Sequence, residues 1–521
     1  MKTAGIAVSA SVFASEDWLG DITTSLSNPP DTRQPRLPQG MQIGDVIPGQ
    51  AVIWSRTDRP ARMYVKYSLD SAFKNSTVVE GPIAHEQTDY IARVNLTGLP
   101  TGQAVFLQVI FQNLNFPKIM SKPAYGYFRT APAHENNIRF LWSGDVCGQG
   151  WGINPDIGGM KIFDTMRLTD PDFFIHCGDA IYADCPIQES QRVNETGELW
   201  RNLVTQEVLK VAETLNEFRG RYKYNLLDTH LRRFNAQVPT VRLWDDHEVT
   251  NNWSPSKTLQ QDDRYVEKNL STLMSRGARA ALEYAPIRYQ LSHAKQRIYR
   301  HLPYGPLLDI FVLDMRSYRA GNNYNRQDKP GSDTAYLGRE QLNWLKASLK
   351  KSSAVWKVIA ADMPLGLQLG DGFDKQQRRQ FENSANGDGP VLGREFEIAE
   401  LLAYLKQEKI TNTVWFTADV HYCAAHYYDP DNAVFKDFDP FWEFVSGPLN
   451  AGSFQPHPLD NTFGPQLIFQ KASPSANLSP LAGLQFFGQV DINAVNRVMT
   501  VQLKDMAGET LFTQEIFPAL T

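Results

Sequence analysis

The sequence predicts an α/β fold: a largely buried sheet flanked by helices, preceded by an all-β sandwich of the immunoglobulin or fibronectin kind. Three observations carry this. Residues 37–132 hold strand-like runs separated by turn residues and no long amphipathic helix. From Asn136 onward, apolar strand-like runs alternate with helical patterns. Acidic and imidazole side chains cluster just after those runs, in the loops where α/β proteins place their chemical groups.

Taken in order, residues 1–36 read as a signal-like segment and extension. Met1-Lys2-Thr3 precedes a soft apolar stretch over 4–14, and Val12-Phe13-Ala14 fits the small-residue cleavage pattern, so a secreted or periplasmic location is expected. No other segment approaches the roughly 20 apolar residues that span a bilayer. The sandwich, 37–132, draws on the runs 50–54, 62–67, 91–96 and 104–110, broken by Gly, Pro, Asp and Asn. It carries no cluster of His, Cys or acids, so a packing or lid-supporting role is expected. The second domain, 133–521, opens with a strand over 138–142, a helix over 159–168 and a strand over 172–177. The pattern returns with a strand at 355–361, a helix at 394–407 and a strand at 411–416. Between these lies a charged insertion, 187–237, with helical character over 204–218. Residues 370–390, rich in Gly, Asp, Asn and charge, are expected to cover the mouth of the site as a loop. The runs 484–490 and 498–503 close the fold as strands.

With 521 residues, 42% hydrophobic and 21% charged, the chain can bury a large core, which excludes disorder. A net charge of −5 and the lack of a long Lys/Arg run argue against a dedicated nucleic-acid partner. Nothing in the sequence marks a protein partner. Four cysteines are too few for a disulfide scaffold, yet Cys147, Cys177, Cys185 and Cys423 all lie within six residues of Asp145, Asp179 or Asp419. Small buried residues, a disulfide near the site and a metal-ligating thiolate stay open for them.

The chemistry-bearing segments are Ser143-Gly144-Asp145, Gly178-Asp179-Ala180-Ile181-Tyr182, Trp244-Asp245-Asp246-His247-Glu248 and Ala418-Asp419-Val420-His421. A carboxylate such as Asp179, placed after a strand and a glycine, is free to bridge two cations, because Gly178 permits close backbone approach. Tyr182, three residues on, reaches the same place in one tight turn. Ligation by its phenolate means lowering a pKa of about 10, a task for a highly charged ion such as Fe(III). Taken singly, Gly178-Asp179 is as well explained by a β-turn, and Tyr182 by a buried, hydrogen-bonded aromatic. Together with Asp145, Asp246-His247 and Asp419-Val420-His421 they form a set that would be costly to bury without cations. The set points to a metal-dependent phosphoester hydrolase.

These motifs resemble the calcineurin-like metallophosphoesterases, and more closely the alkaline phosphatase D family. The likeness adds Trp-Asp-Asp-His-Glu-Val at 244–249, Leu-Asp-Met-Arg-Ser-Tyr-Arg at 313–319 and a sandwich ahead of the catalytic domain; it covers roughly residues 37–515. The resemblance implies a four-layer α/β/β/α catalytic domain and hydrolysis of small or polymeric phosphomonoesters and phosphodiesters with Fe(III) and Ca2+. It implies that Asp145, Asp179, Tyr182 and His421 hold iron and that Asp179, Asp246 and Asp419 face calcium. Many family members have cysteine where this chain has Asp145, which implies a harder iron site, similar to that of purple acid phosphatases. Zinc or manganese in the second site is the alternative loading. After the strand at 355–361, where other metallophosphoesterases have histidine, stands Asp362, a calcium ligand or a turn residue.

The expected reaction is in-line attack by a metal-bound hydroxide on a phosphoryl group clamped by two cations. His247 is the candidate to stabilise the transition state or protonate the leaving oxygen, given its near-neutral pKa. Arg316 is either a phosphate-binding fork or a structural salt bridge. The competing reading is a metal- or phosphate-binding surface protein that keeps the fold without turnover; the intact ligand set and His247 argue against it.

Overall fold

The computed structural model describes residues 32–194, 196–288 and 297–519, so the signal-like stretch over 4–14 lies outside the described residues. Two sheets face each other. One has nine strands, in the spatial order Thr510–Ile516, Met499–Asp505, Phe486–Ile492, Ile138–Ser143, Phe173–His176, Thr240–Arg242, Met41–Ile47, Gln50–Arg56 and Ile91–Thr97. The other has seven: Arg300–Pro303, Leu308–Val312, Trp356–Ala360, Thr413–Thr417, Phe441–Val445, Cys423–Tyr428 and Pro465–Lys471. Ile138–Ser143, Phe173–His176 and Thr240–Arg242 run parallel in the first sheet. Leu308–Val312, Trp356–Ala360, Thr413–Thr417 and Phe441–Val445 do so in the second. Parallel strands end together, so their following loops share one rim.

Strand alternation decides which layer each side chain joins. Phe140 and Trp142 point from the first sheet to the second, where their rings lie 5.6 and 4.5 Å from that of Phe416. Phe174, on the neighbouring strand, points the other way and meets Phe234 of the helix Thr229–Gln237 at 5.4 Å. On the far sheet, Phe311, Ile359 and Trp415 pack with Leu342 and Leu345 of the helix Arg339–Lys351 and with Ile398 and Leu402 of the helix Glu395–Gln407. The layers are therefore helix, sheet, sheet, helix, as the family likeness implies. Strands buried on both faces need apolar residues at every position, which is why they read as continuous apolar runs.

The sandwich is present. Its four-stranded sheet, Ser76–Ala84, Ala61–Ser68, Ala104–Asn113 and Ala124–Arg129, packs through Met63, Val65, Leu107 and Val109 on the inner residues Ile53 and Val94. The opposing strands are not a separate sheet. Met41–Ile47 pairs in parallel with Thr240–Arg242, with Gly44 opposite Thr240, so the sandwich continues the nine-stranded sheet.

Two local expectations are corrected. The helix expected over 204–218 is instead a 3-10 turn, Gln206–Val208, followed by a helix at Leu215–Asn225. A capping box sets that start: the Glu217 amide donates to Thr214 Oγ1, and Glu217 Oε2 accepts from the Thr214 amide at 2.8 Å. Residues 370–390 hold an antiparallel hairpin, Gly370–Phe373 with Arg379–Phe381, followed by the buried residues Glu382 to Asn386. Asn252 and Asn322 donate to the two Asp371 oxygens at 3.0 and 2.8 Å, and Arg394 donates to the Phe381 carbonyl, which ties this segment inward. Among the described residues no helix is long and apolar enough to cross a membrane.

Gly488 lies opposite Trp142 in the sheet, and a Cβ there would land in the indole ring. Gly488→Ala is expected to destabilise the protein by about 2–3 kcal/mol through overpacking, measured as a lower urea midpoint at unchanged slope.

Candidate metal centre

Each motif sits where a parallel strand ends. Asp145 follows Ile138–Ser143, Asp179 and Tyr182 follow Phe173–His176, and Asp245 to Glu248 follow Thr240–Arg242. From the facing sheet come Arg316 after Leu308–Val312, Asp362 after Trp356–Ala360, and Asp419 and His421 after Thr413–Thr417. The loops are stitched by backbone bonds: Val146 donates to Asp179 at 2.9 Å, Ala183 to His247 at 2.8 Å, and Ala418 to Asp362 at 2.9 Å. Asp145, Asp179, Asp419 and His421 all adopt left-handed φ, at 67°, 53°, 67° and 59°. Non-glycine residues rarely stay there, and such strain gathers at functional sites.

The side chains converge. Asp145, Asp179 and His421 offer donor atoms within 4.8 Å of one another; so do Asp179, Asp246 and His247, and so do Asp245, Asp246 and Asp419. Asp179 joins two of these groups. Tyr182 Oη lies 2.7 Å from His421 Nε2, beside the first group. His421 is oriented from behind, its Nδ1 against the Gly452 carbonyl at 2.5 Å. Both Asp145 oxygens, Asp245 Oδ2 and Asp246 Oδ1 are buried with no hydrogen-bond partner. Orphaned carboxylate oxygens beside an imidazole and a phenol are the donor set that hard cations take, so the residues fit a pair of metal ions.

The electrostatics say the same. Burial pushes Asp145, Asp179, Asp245 and Asp419 well above the usual carboxylate range, and their mutual repulsion adds to it. Burial also works to raise Asp246, but attraction to His247 and Arg316 wins and holds it below its ordinary value. Tyr182 is raised by burial and by Asp179 and Asp145, so a phenolate there needs a strongly charged cation. Burial takes His421 down to about 4, leaving a neutral imidazole able to ligate.

Three contributors escaped the sequence reading. Asp184 Oδ1 pairs with His247 Nδ1 at 2.6 Å and leaves Nε2 pointing toward Asp246 Oδ1 at 3.9 Å. Burial opposes charge on His247, yet Asp184, Asp246 and Asp179 together raise it well above the usual histidine value. Asp245 joins Asp246 and Asp419 in a donor group. Glu248, quoted only as part of a motif, accepts the amides of Ala180, Asp245 and Asp179 at 2.7, 2.9 and 3.2 Å and so clips two metal loops together.

Arg316 and Asp362 lie side by side behind the rim. Arg316 is fully buried: Nε donates to Asp245 at 2.6 Å and lies 3.3 Å from Asp362, while Nη1 bonds Glu382. Its Nε and Nη1 are engaged by protein carboxylates, which favours the salt-bridge reading, while Nη2 lies 2.5 Å from Asp245 Oδ1 and makes no hydrogen bond among the described residues. Asp362 is buried 3.3 Å from that guanidinium and belongs to none of the converging donor groups, yet both its oxygens lack hydrogen-bond partners, as those of Asp145 do. The cysteines form no disulfide among the described residues; Cys147, Cys177 and Cys423 are buried. Cys185 Sγ lies 3.8 Å from Asp184 Oδ1, and burial pushes its thiol up to about 12.

Two facing sheets, with carboxylates and imidazoles ringed at their shared rim, define the metallophosphoesterase class of α/β/β/α proteins. Within that class the chain belongs to the PhoD-like phosphatase family, whose sequence profile matches residues 140–503, and whose N-terminal domain profile matches residues 23–132. Alkaline phosphatase D of Bacillus subtilis (strain 168) is 30% identical over 267 residues, which span 48% of this chain and 41% of that relative's length. A solved structure of PhoD superposes with a TM-score of 0.68 at 19% identity, over 94% of this chain and 90% of that one. Purple acid phosphatase PPD1 from yellow lupin (Lupinus luteus) seeds superposes with a TM-score of 0.57 at 13% identity, over 93% of this chain and 74% of that one. Both structures establish the fold.

Burial pushes Glu248 up to about 7 from its usual 4.5. A carboxyl raised in the folded state contributes stability that is complete below its unfolded value and lost as pH rises through the folded one. Asp145, Asp179, Asp245 and Asp419 move in the same direction; Asp184, lowered to about 2, acts only at more acidic pH, whereas His421, lowered to about 4, and His176 oppose the fall up to the usual histidine value. The Tm of chelator-treated protein should therefore fall as pH rises from 4.5 to 7, with a shallower fall in Glu248→Gln. A pH dependence of Tm identical in the wild type and Glu248→Gln would refute the assignment.

Proposed function

We propose that the chain hydrolyses phosphomonoesters and phosphodiesters at a two-cation centre. The observation that carries this is the sharing of Asp179 between two buried donor groups that open on one rim. Asp145, Asp179, Tyr182 and His421 would hold Fe(III), and Asp179, Asp246 and Asp419, with Asp245 beside them, would hold Ca2+; the phenol beside a neutral imidazole at the first site and the all-carboxylate set at the second support this loading. When bound, the cations supply positive charge for the phosphoryl oxygens and make the attacking water more acidic.

The remaining work belongs to the protein. Asp184 accepts the Nδ1 proton of His247, which leaves Nε2–H free to protonate a leaving oxygen. Asp184, Asp246 and Asp179 draw the His247 pKa upward against burial, which favours retention of that proton. Arg316 places a permanent charge behind Asp245 and stands 4.0 Å from Asp246 and 3.9 Å from Asp419, so the carboxylates stay grouped while the site awaits substrate. Asp419 keeps 15% side-chain exposure against 3% for Asp246, which marks its side as the approach. The signal-like start supports activity in the periplasm or the medium.

Purified protein is expected to hydrolyse a chromogenic phosphate diester and to absorb visible light through an Fe(III)–phenolate pair. Chelation should abolish turnover, and Asp179→Asn should lower it at least about 100-fold, beyond the usual loss for outer-shell partners. Bound metal without turnover would favour the binding-protein reading. Asp184→Asn removes a carboxylate that keeps His247 charged, so the basic limb of the kcat/KM profile should move to lower pH. An unmoved limb would take His247 out of the acid role.

A further inference from the structure

Behind the rim, between the nine-stranded sheet and the helices Leu215–Asn225 and Thr229–Gln237, lies an internal cavity of about 30 Å³. Gln42, His176, Tyr222, Asn235 and Arg242 are among the polar residues of a wall that is otherwise largely apolar. Three of these side chains are almost wholly buried yet lack partners: His176 at Nδ1, Asn235 at Nδ2 and Gln42 at Oε1, with residue exposures of 4%, 2% and 1%. Arg242 Nε is buried without a partner as well, and among the described residues no carboxylate is in salt-bridge contact with this guanidinium. Glu248 attracts it from farther off, but that carboxylate is engaged by three backbone amides.

The balance of groups is one-sided. Arg242, the Asn235 amide and the Tyr222 hydroxyl can donate, His176 Nδ1 can do either, and Gln42 Oε1 is the acceptor. Arg242 is half-buried as a residue, but a cation whose Nε is buried with no counter-charge beside it is still costly, and water satisfies hydrogens without neutralising charge. One water needs about 10–15 Å³ of such space, so the cavity has room for a small ion and not for the four oxygens of phosphate. We propose that this cavity binds a chloride-sized monovalent anion, held by Arg242 and Asn235.

Such an ion braces the metal loops from behind. His176 ends the strand that leads into Gly178-Asp179, Arg242 ends the strand that leads into Asp245-Asp246, and Ala180 and Val146 of the rim loops complete the wall. The site is separate from the cation centre and does not depend on turnover.

Crystals of the full protein grown in bromide should show an anomalous peak between Arg242 and Asn235. In chloride titrated against gluconate at constant ionic strength, Tm should rise saturably by about 2 °C. Asn235→Asp places a carboxylate on the same wall and should fold with its Tm indifferent to chloride; Arg242→Met should lose both the response and the peak. A cavity filled only by water in bromide crystals would overturn the proposal, as would a chloride response that survives in Asn235→Asp.

Discussion

The structure turns on one electrostatic problem: Asp145, Asp179, Asp245, Asp246, Asp362 and Asp419 are brought to one rim with little water around them. At such separations, in a medium of low effective dielectric, like charges repel by amounts that rival the stability of a domain. The protein meets part of the problem with its own cations. Arg316 stands among the carboxylates of Asp245, Asp362 and Glu382, and His247 between Asp184 and Asp246. The rest is left as orphaned oxygens on Asp145, Asp245, Asp246 and Asp362, and that residue of uncompensated charge is what makes the rim a place for metal ions.

The fold makes this concentration of charge tolerable by rigidity. Parallel strands of two facing sheets deliver the loops, and the aromatic contact of Phe140 and Trp142 with Phe416 locks the sheets together beneath the site. The positive φ at Asp145, Asp179 and His421 is accompanied by bonds between loops, and that at Asp419 by a turn within its own loop, the Val420 amide on the Ala418 carbonyl. Glu248 is the clearest case, because its two oxygens gather amides from both the Asp179 and the Asp245 segments. The sandwich contributes to the same frame, since its Met41–Ile47 strand extends the sheet beyond Thr240–Arg242. A strand that carries metal loops is thereby kept off the sheet edge.

Much of this was legible from residue order. A glycine and an acid after an apolar run identify a loop at a strand end, so Asp145, Asp179, Asp246, Asp419 and His421 could be picked out with no knowledge of the fold. The helices at Arg339–Lys351 and Leu215–Asn225 show where local reading stops. The first went without notice, and the second was placed too early because charge was weighed over the Thr214-Leu215-Asn216-Glu217 cap. The hairpin at Gly370–Phe373 and Arg379–Phe381 looked like a loop because its order comes from Asn252, Asn322 and Arg394, residues distant from it in the chain or on another element.

What the sequence determined by itself was the alternation of strands and helices, the sandwich ahead of it, and the identity of the side chains able to meet cations. These depend on short-range patterns of polarity and turn chemistry. Which carboxylate faces a cation and which faces an arginine was decided by tertiary structure alone. The Asp184–His247, Arg316–Glu382 and Arg316–Asp245 contacts join residues 63, 66 and 71 positions apart. The physical reason is that the strength of such a contact depends on distance and burial, and neither exists until the sheets have closed on each other.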